Sequence, residues 1–409
     1  MVIRKFFVIC IILVILLCIT AFTFITENFS TEQRLGMKLY FDTNLSLNRN
    51  QSCASCHDPY TAFTDPEQTV PVSNGSDPSL FGGRNAPSAA YAAFSPFFYW
   101  DGTEGMFIGG QFWDGRANTL ADQAGGPFLN PVEMGMPEKW AVVSRLRENN
   151  RYVKEFRRVY NLNLKQIPVY NQNARTVPPG VEEVYDKMTT AIAAFEKTRF
   201  VSSFSSKYDY YLAGLAVLSP LEKKGLELYN GKALCSACHT SEPLKAPDGT
   251  LIPPLFTDFT YDNLGLPPNL KIPGAPHPTD EGLGGRPDIA ALDPHGLQKG
   301  KFKVVTLRNI EKTAPYGHNG VFETLEQIVH FYNTRDVLGV VPDNLDPGFG
   351  IRGWPLPEVQ ANVNDSELGN LQLTAGEEEA LIAYLKTLTD GYGAANHLDP
   401  LPVTFPPLP

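Results

Sequence analysis

A chain of 409 residues is long enough for about two domains, each with its own buried core. Its 43% apolar and 19% charged residues give a globular balance, while 34 Gly and 34 Pro predict helices joined by many turns and long irregular connections. A formal charge of −10 argues against a surface that tracks phosphates, which sets nucleic acid aside, and suits docking to a basic or neutral protein.

Arg4 and Lys5 precede residues 6–25, a run of 20 residues without a charge, which is the pattern of an export signal or an uncleaved anchor. Residues 1–26 are assigned to this segment, and the lack of an A-x-A site after it favours the anchor. Cys10 and Cys18 lie inside it, where an apolar thiol is unremarkable. Two similar helical phrases come next, Leu35-Gly36-Met37-Lys38-Leu39-Tyr40 and Gly225-Leu226-Glu227-Leu228-Tyr229, each just ahead of a C-x-x-C-H, so one unit is repeated. A break near residues 204–214 divides an N-terminal unit, 27–205, from a C-terminal unit, 206–395. Ser219, Pro220 and Glu222 open the second phrase with an N-cap, a first-turn proline and a third-position acid. Residues 240–300, rich in Pro and Gly, read as a structured loop around the second site. Thr324 and Gln327 cap a helix whose Leu325, Ile328, Val329 and Tyr332 share one face, and Thr374 with Glu377 caps another carrying Leu381, Tyr384, Leu385 and Leu388. Residues 396–409 form a Pro-rich tail.

Cys53-Ala54-Ser55-Cys56-His57 and Cys235-Ser236-Ala237-Cys238-His239 carry the attachment signature of haem c, in which two thiols add to the vinyl groups and the adjacent His ligates iron. A zinc knuckle or a redox pair would not explain a His directly after both pairs, nor an exported chain. The expected fold is therefore mainly α, with two cytochrome c-like haem domains, long irregular loops and one N-terminal hydrophobic helix before them.

A sixth protein ligand makes a haem an electron carrier, whereas a vacant position makes it reactive. No His lies between His57 and His239, so the first haem's own unit offers only Met37, Met106, Met134, Met136, Met188 or a weaker ligand, and an open site is favoured. No Met follows Met188, which leaves His277, His295, His318, His330, His397 and the tyrosines for the second haem. Tyr332 shares the apolar face of its helix, and His330 sits about 200° round from it. A Tyr on such a face is by itself more often core than ligand.

Several further blocks, in order, resemble the bacterial di-haem cytochrome c peroxidase and MauG family from Gln33 to Leu388. They are Gly110-Gln111-Phe112-Trp113-Asp114-Gly115-Arg116-Ala117, then Gln123, Gly126-Pro127 and Asn130-Pro131-Val132-Glu133-Met134, and later Arg308-Asn309 with Thr313-Ala314-Pro315-Tyr316-Gly317-His318-Asn319-Gly320. The resemblance implies that Trp113 lies between the haems, that Gln123, Pro127 and Glu133 line the pocket over the first, and that Asn85, Thr313 and Pro315 hold a calcium ion between them. It also implies a sixth ligand to the second haem 14 residues after His318, where this chain has Tyr332 as in the MauG branch, whereas peroxidases proper have Met. The family's peroxidases carry a His in the loop before the Trp block, and this chain has none there. Pro96 to Phe107 form an aromatic insertion in that loop, and Ala233 stands where the family's quinone-cofactor maturation enzyme has a relaying Trp.

These implications describe a periplasmic di-haem oxidoreductase that reacts with hydrogen peroxide at the N-terminal haem. Glu133 would move the proton, Gln123 orient peroxide, Pro127 restrict access and Trp113 conduct electrons. Electrons would come from a small cytochrome c, a cupredoxin or a polypeptide oxidised as a substrate, as in a MauG-like oxidase. A non-catalytic electron-transfer cytochrome with both irons six-coordinate is the reading from another class.

Overall fold

The computed structural model describes residues 29–402 apart from Gln68, Pro247 and Asp248. The hydrophobic segment expected at residues 1–26 and the last seven residues of the Pro-rich tail lie outside the described residues. No helix among the described residues is long and apolar enough to cross a membrane.

The fold is mainly helical, with strands confined to short two-stranded pairs. Six helices frame the two halves of the molecule: α1 (Thr31–Tyr40), α2 (Leu120–Leu129), α3 (Val181–Glu196), α4 (Pro220–Tyr229), α5 (Leu325–Thr334) and α6 (Ala375–Lys386). Ser30 with Gln33, Ser219 with Glu222 and Thr374 with Glu377 form complete capping boxes at α1, α4 and α6, satisfying amides that the first turn would otherwise leave bare.

The repeat read from the sequence becomes the same crossing built twice. In one half α1 crosses α3, and in the other α4 crosses α6. A Cβ on Gly36 would land on the carbonyl oxygen of Ala191, and one on Gly225 on that of Ala380, so backbone meets backbone and glycine alone fits. Gly225→Ala should therefore destabilise the folded protein by about 1–3 kcal/mol or more, seen as a lower Tm of the haem-loaded chain. An unchanged Tm would mean that the helices can part without loss.

Two cores form around these crossings. One runs from Phe29 to Phe204 and takes in Ala246, Ile252, Leu255 and Phe259 from later in the chain; the other runs from Tyr208 to Leu388. The stretch expected as a break is itself ordered, because Ser206 and Asp209 make a capping box for the helix Lys207–Leu212. Asp209 then pairs at 2.9 Å with Arg308, whose guanidinium is buried against the rings of Tyr91 and Phe204. The aromatic insertion is a hairpin, Tyr99–Asp101 against Met106–Ile108, closed where Gly105 takes a positive φ and braced by a 5.0 Å stack of Phe98 on Phe107.

Candidate haem sites and the space between them

Each C-x-x-C-H sits on a short turn that aims its histidine into a cavity. Cys53–Cys56 form a one-turn helix, with His57 as its C-cap, and Cys235–Ala237 form a 3₁₀ turn just ahead of Cys238 and His239. His57 Nδ1 lies 3.1 Å from the carbonyl of Phe63, and His239 Nδ1 lies 2.9 Å from that of Phe256. Both phenylalanines hold positive φ, so the two loops bend alike to present that carbonyl. A carbonyl that takes Nδ1–H fixes the tautomer and leaves Nε2 for a metal, the usual outer support of a ligating histidine. Tyr40 and Tyr229 complete the parallel by donating their hydroxyls to the carbonyls of His57 and His239. Burial pushes the thiols of Cys56, Cys235 and Cys238 up to about 12 and raises Cys53 further, so unattached they stay neutral.

The cavity at His57 takes in about 1530 Å³ and that at His239 about 1430 Å³, open mouths included. Buried polar atoms without hydrogen-bond partners include Gln51 Oε1 and Glu196 Oε2 on residues of the first cavity and His318 Nε2 on one of the second. Paired thiols, oriented imidazoles and apolar walls fit haem c at both places.

The first cavity gathers Gln123, Pro127 and Glu133 with Cys53, Cys56 and His57. Thr119 and Asp122 box the start of α2, and Gln123 and Pro127, one turn apart, share a face. Pro127 lies inside α2 and withholds one N–H from its ladder, and after the helix ends at Leu129 the chain folds back so that Met134 N–H donates to the Pro127 carbonyl at 3.1 Å, which brings Glu133 to the cavity. Glu133 Oε1 accepts from Asn130 Nδ2 at 2.7 Å, and burial raises its pKa, with Asn130 and then Arg116 opposing. Among the described residues lining this cavity His57 is the sole histidine, and of the methionines weighed as ligands Met134 alone lines it.

The second cavity gathers Cys235, Cys238, His239 and, from α5, Ile328 and Tyr332. Tyr332 faces it and makes no hydrogen bond through its hydroxyl among the described residues, while His330 turns away to Glu378, Nδ1 to Oε1 2.9 Å. His277, His295 and His397 do not line it; His318 does, stacked on Phe302 at 3.5 Å with Nε2 3.8 Å from Glu358. Ala233 is buried at its edge, and part of the 240–300 loop, from Asp262 to Leu266, forms one wall. Cys238, Asp262 and Glu367 lie close enough to hold a metal ion, but attachment of haem would consume that thiol.

Trp113 lines both cavities, its Nε1 donating to the Asn85 carbonyl at 2.8 Å and its own carbonyl accepting from Lys303 N–H at 2.8 Å. Asn85, Thr313 and Pro315 meet beside it, with Asn85 Nδ2 donating to the Pro315 carbonyl at 2.6 Å. These neutral oxygens suit calcium once Asn85 turns Oδ1 inward, a rotation that exchanges its two near-identical amide ends. Sequence reasoning missed Lys303, which also lines both cavities and whose ammonium burial pushes down to about 8.

The model of the di-haem cytochrome c peroxidase family matches residues 30–216. The chain is 40% identical to the methylamine utilization protein MauG of Paracoccus denitrificans, over 87% of this chain and 88% of that one. It is 31% identical to the cytochrome c551 peroxidase of Nitrosomonas europaea over 72% of this chain and 70% of that one. Its structure resembles the di-haem peroxidase BthA of Burkholderia thailandensis with a TM-score of 0.71 and 30% identity, covering 88% of this chain and 86% of that one.

Proposed function

The chain belongs to the di-haem cytochrome c peroxidase and MauG family, and from that premise we propose that it reduces hydrogen peroxide at the first haem site using electrons delivered through the second. Two electrons and two protons convert one peroxide to two waters. Bound haem supplies the electron exchange with peroxide. Glu133 removes a proton from peroxide and returns it to the departing oxygen, Gln123 orients the substrate by hydrogen bonding, and Pro127 narrows the approach. The position of Trp113 on the wall of both cavities supports its role as the conduit between them. The observation that carries the reading is a first cavity whose described lining holds one histidine, with the Glu133 carboxyl on its wall and burial raising that carboxyl above its ordinary pKa.

The same reading assigns 27–205 to the peroxide-reactive unit and 206–395 to the electron-accepting one, with Tyr332 as the second iron's sixth ligand and calcium at Asn85, Thr313 and Pro315. The two C-x-x-C-H signatures and the hydrophobic run at 6–25, read as a signal or anchor, support a periplasmic protein served by a small cytochrome c or cupredoxin. A second reading, a MauG-like oxidase that modifies a partner protein, is favoured by Tyr332 at the second cavity. Ala233, buried at the edge of that cavity where the family's maturation enzyme has a relaying Trp, speaks against a tryptophan relay there.

The ferric protein, as prepared and without prior reduction, should show a high-spin component and bind cyanide at one haem of the two. Two low-spin, unreactive haems would leave the electron-carrier reading in its place.

A further inference from the structure

Helices α3 and α6 occupy equivalent places, since Ala191 and Ala380 make the two glycine contacts. Counting on from those alanines, Phe195 matches Tyr384, Glu196 matches Leu385, Lys197 matches Lys386 and Thr198 matches Thr387. One half therefore buries a carboxyl group where the other buries a leucine, and the crossing itself requires no acid. Glu196 is 5% exposed, its Oε2 has no hydrogen-bond partner among the described residues, and it lines the first cavity. An unpartnered carboxylate in such a place is costly unless it is neutralised or serves a nearby charge.

We propose that Glu196 takes up a proton when the first haem gains an electron and releases it when that electron leaves. The electron comes from the protein donor and the proton from solvent, which binds a carboxylate oxygen of Glu196, so the cavity gains no net charge and no bond to the cofactor forms or breaks. In surroundings of low polarity, negative charge added nearby raises the proton affinity of an acid. Burial already pushes this carboxyl up to about 8, so the exchange falls near neutral pH.

The titratable groups facing Glu196 are Tyr40 on α1, Cys53 on the attachment turn and, beyond Cys53, Glu133. Burial holds the Tyr40 hydroxyl protonated far above neutrality, and Cys53 becomes a thioether on attachment, which leaves as competing groups Glu133 and, on the wall of the same cavity, Lys303, whose ammonium burial pushes down to about 8. The inference rests on haem at the first site but not on peroxide as its oxidant.

The test is spectroelectrochemical titration of the holoprotein, read at the first haem's absorbance between about pH 6 and about pH 9. The first midpoint potential should fall with rising pH by close to one proton per electron. Glu196→Gln, and Glu196→Leu with the residue of the second repeat, should flatten that slope while the second haem's potential stays where it was. Glu133→Gln should keep the slope, and Lys303→Met should keep it too. A purely structural carboxyl would instead lower Tm and leave the slope alone. An unchanged slope in Glu196→Gln, or its loss in Glu133→Gln or Lys303→Met, overturns the proposal. Haem content separates the levels: fewer than two haems per chain in the parent removes the haem assignment beneath it, whereas two haems with an unaltered slope removes this proposal alone.

Discussion

Glu133→Gln should keep both haems and their absorption spectra while slowing the reaction with peroxide by roughly 10²- to 10⁴-fold. Glutamine has the same shape and can still accept from Asn130 through its carbonyl, the 2.7 Å contact seen at Glu133 Oε1. What it cannot do is take a proton and give it back. Burial raises the Glu133 pKa against the pull of Asn130 and Arg116, which moves the group from a permanent anion toward one that exchanges protons at working pH. As a base Glu133 must begin deprotonated, so the rate should climb with pH through an inflection above the ordinary carboxylate range and then level off. The inflection should vanish in Glu133→Gln. Stopped-flow mixing with peroxide reads both. A loss below about threefold would put the acid elsewhere.

Features set by neighbours in the chain are legible in the sequence. The N-terminal caps at Ser219, Thr324 and Thr374 are local hydrogen-bond patterns, and each opens its helix at the expected residue. The opposed directions of Tyr332 and His330 follow from helical period alone, and the structure sends one to the cavity and the other to Glu378. The capping box of Ser206 and Asp209 is equally local, yet it falls at the join of two repeated units, where a break is the natural expectation and a cap is easily passed over. Cavity walls carry no such signal. The first is assembled from residues near Gln51, Arg84, Gln111, Gln123, Glu133, Ile192 and Val304, segments that meet only after folding, so the sequence alone does not tell Met134 from four other methionines. The meeting of Asn85 with Pro315, 230 residues on, is implied by family resemblance and not by spacing. Glu196 is concealed for another reason. In one sequence it is an acid near the end of an amphipathic helix, and it stands out only when the two crossings are laid over each other.

Tyr332→Phe should change the spectrum of the second haem without unfolding the protein, since the ring stays on the α5 face with Ile328 and only the hydroxyl is lost. Burial, the facing Cys238 and Cys235 and then Asp262 all raise the Tyr332 pKa in the haem-free arrangement. With haem held at Cys235, Cys238 and His239 both thiols would be neutral thioethers and a ferric iron would supply the positive charge that an anionic phenolate needs, so ligation by Tyr332 would be coupled to loss of its phenolic proton. Acid should therefore weaken the bond. A phenolate stabilises ferric over ferrous iron, and Tyr332→Met should raise the second haem's midpoint potential by a sizeable part of the ~0.8 V that axial ligands can span, moving the protein toward simple electron intake. His318 is the competitor that geometry leaves, its buried Nε2 at the same cavity 3.8 Å from Glu358 and without a hydrogen-bond partner among the described residues, whereas His330 is engaged elsewhere. If the low-spin signal of the second haem survives Tyr332→Phe and disappears in His318→Ala, the imidazole is the ligand, and the oxidising character that a phenolate would give the second site goes with it.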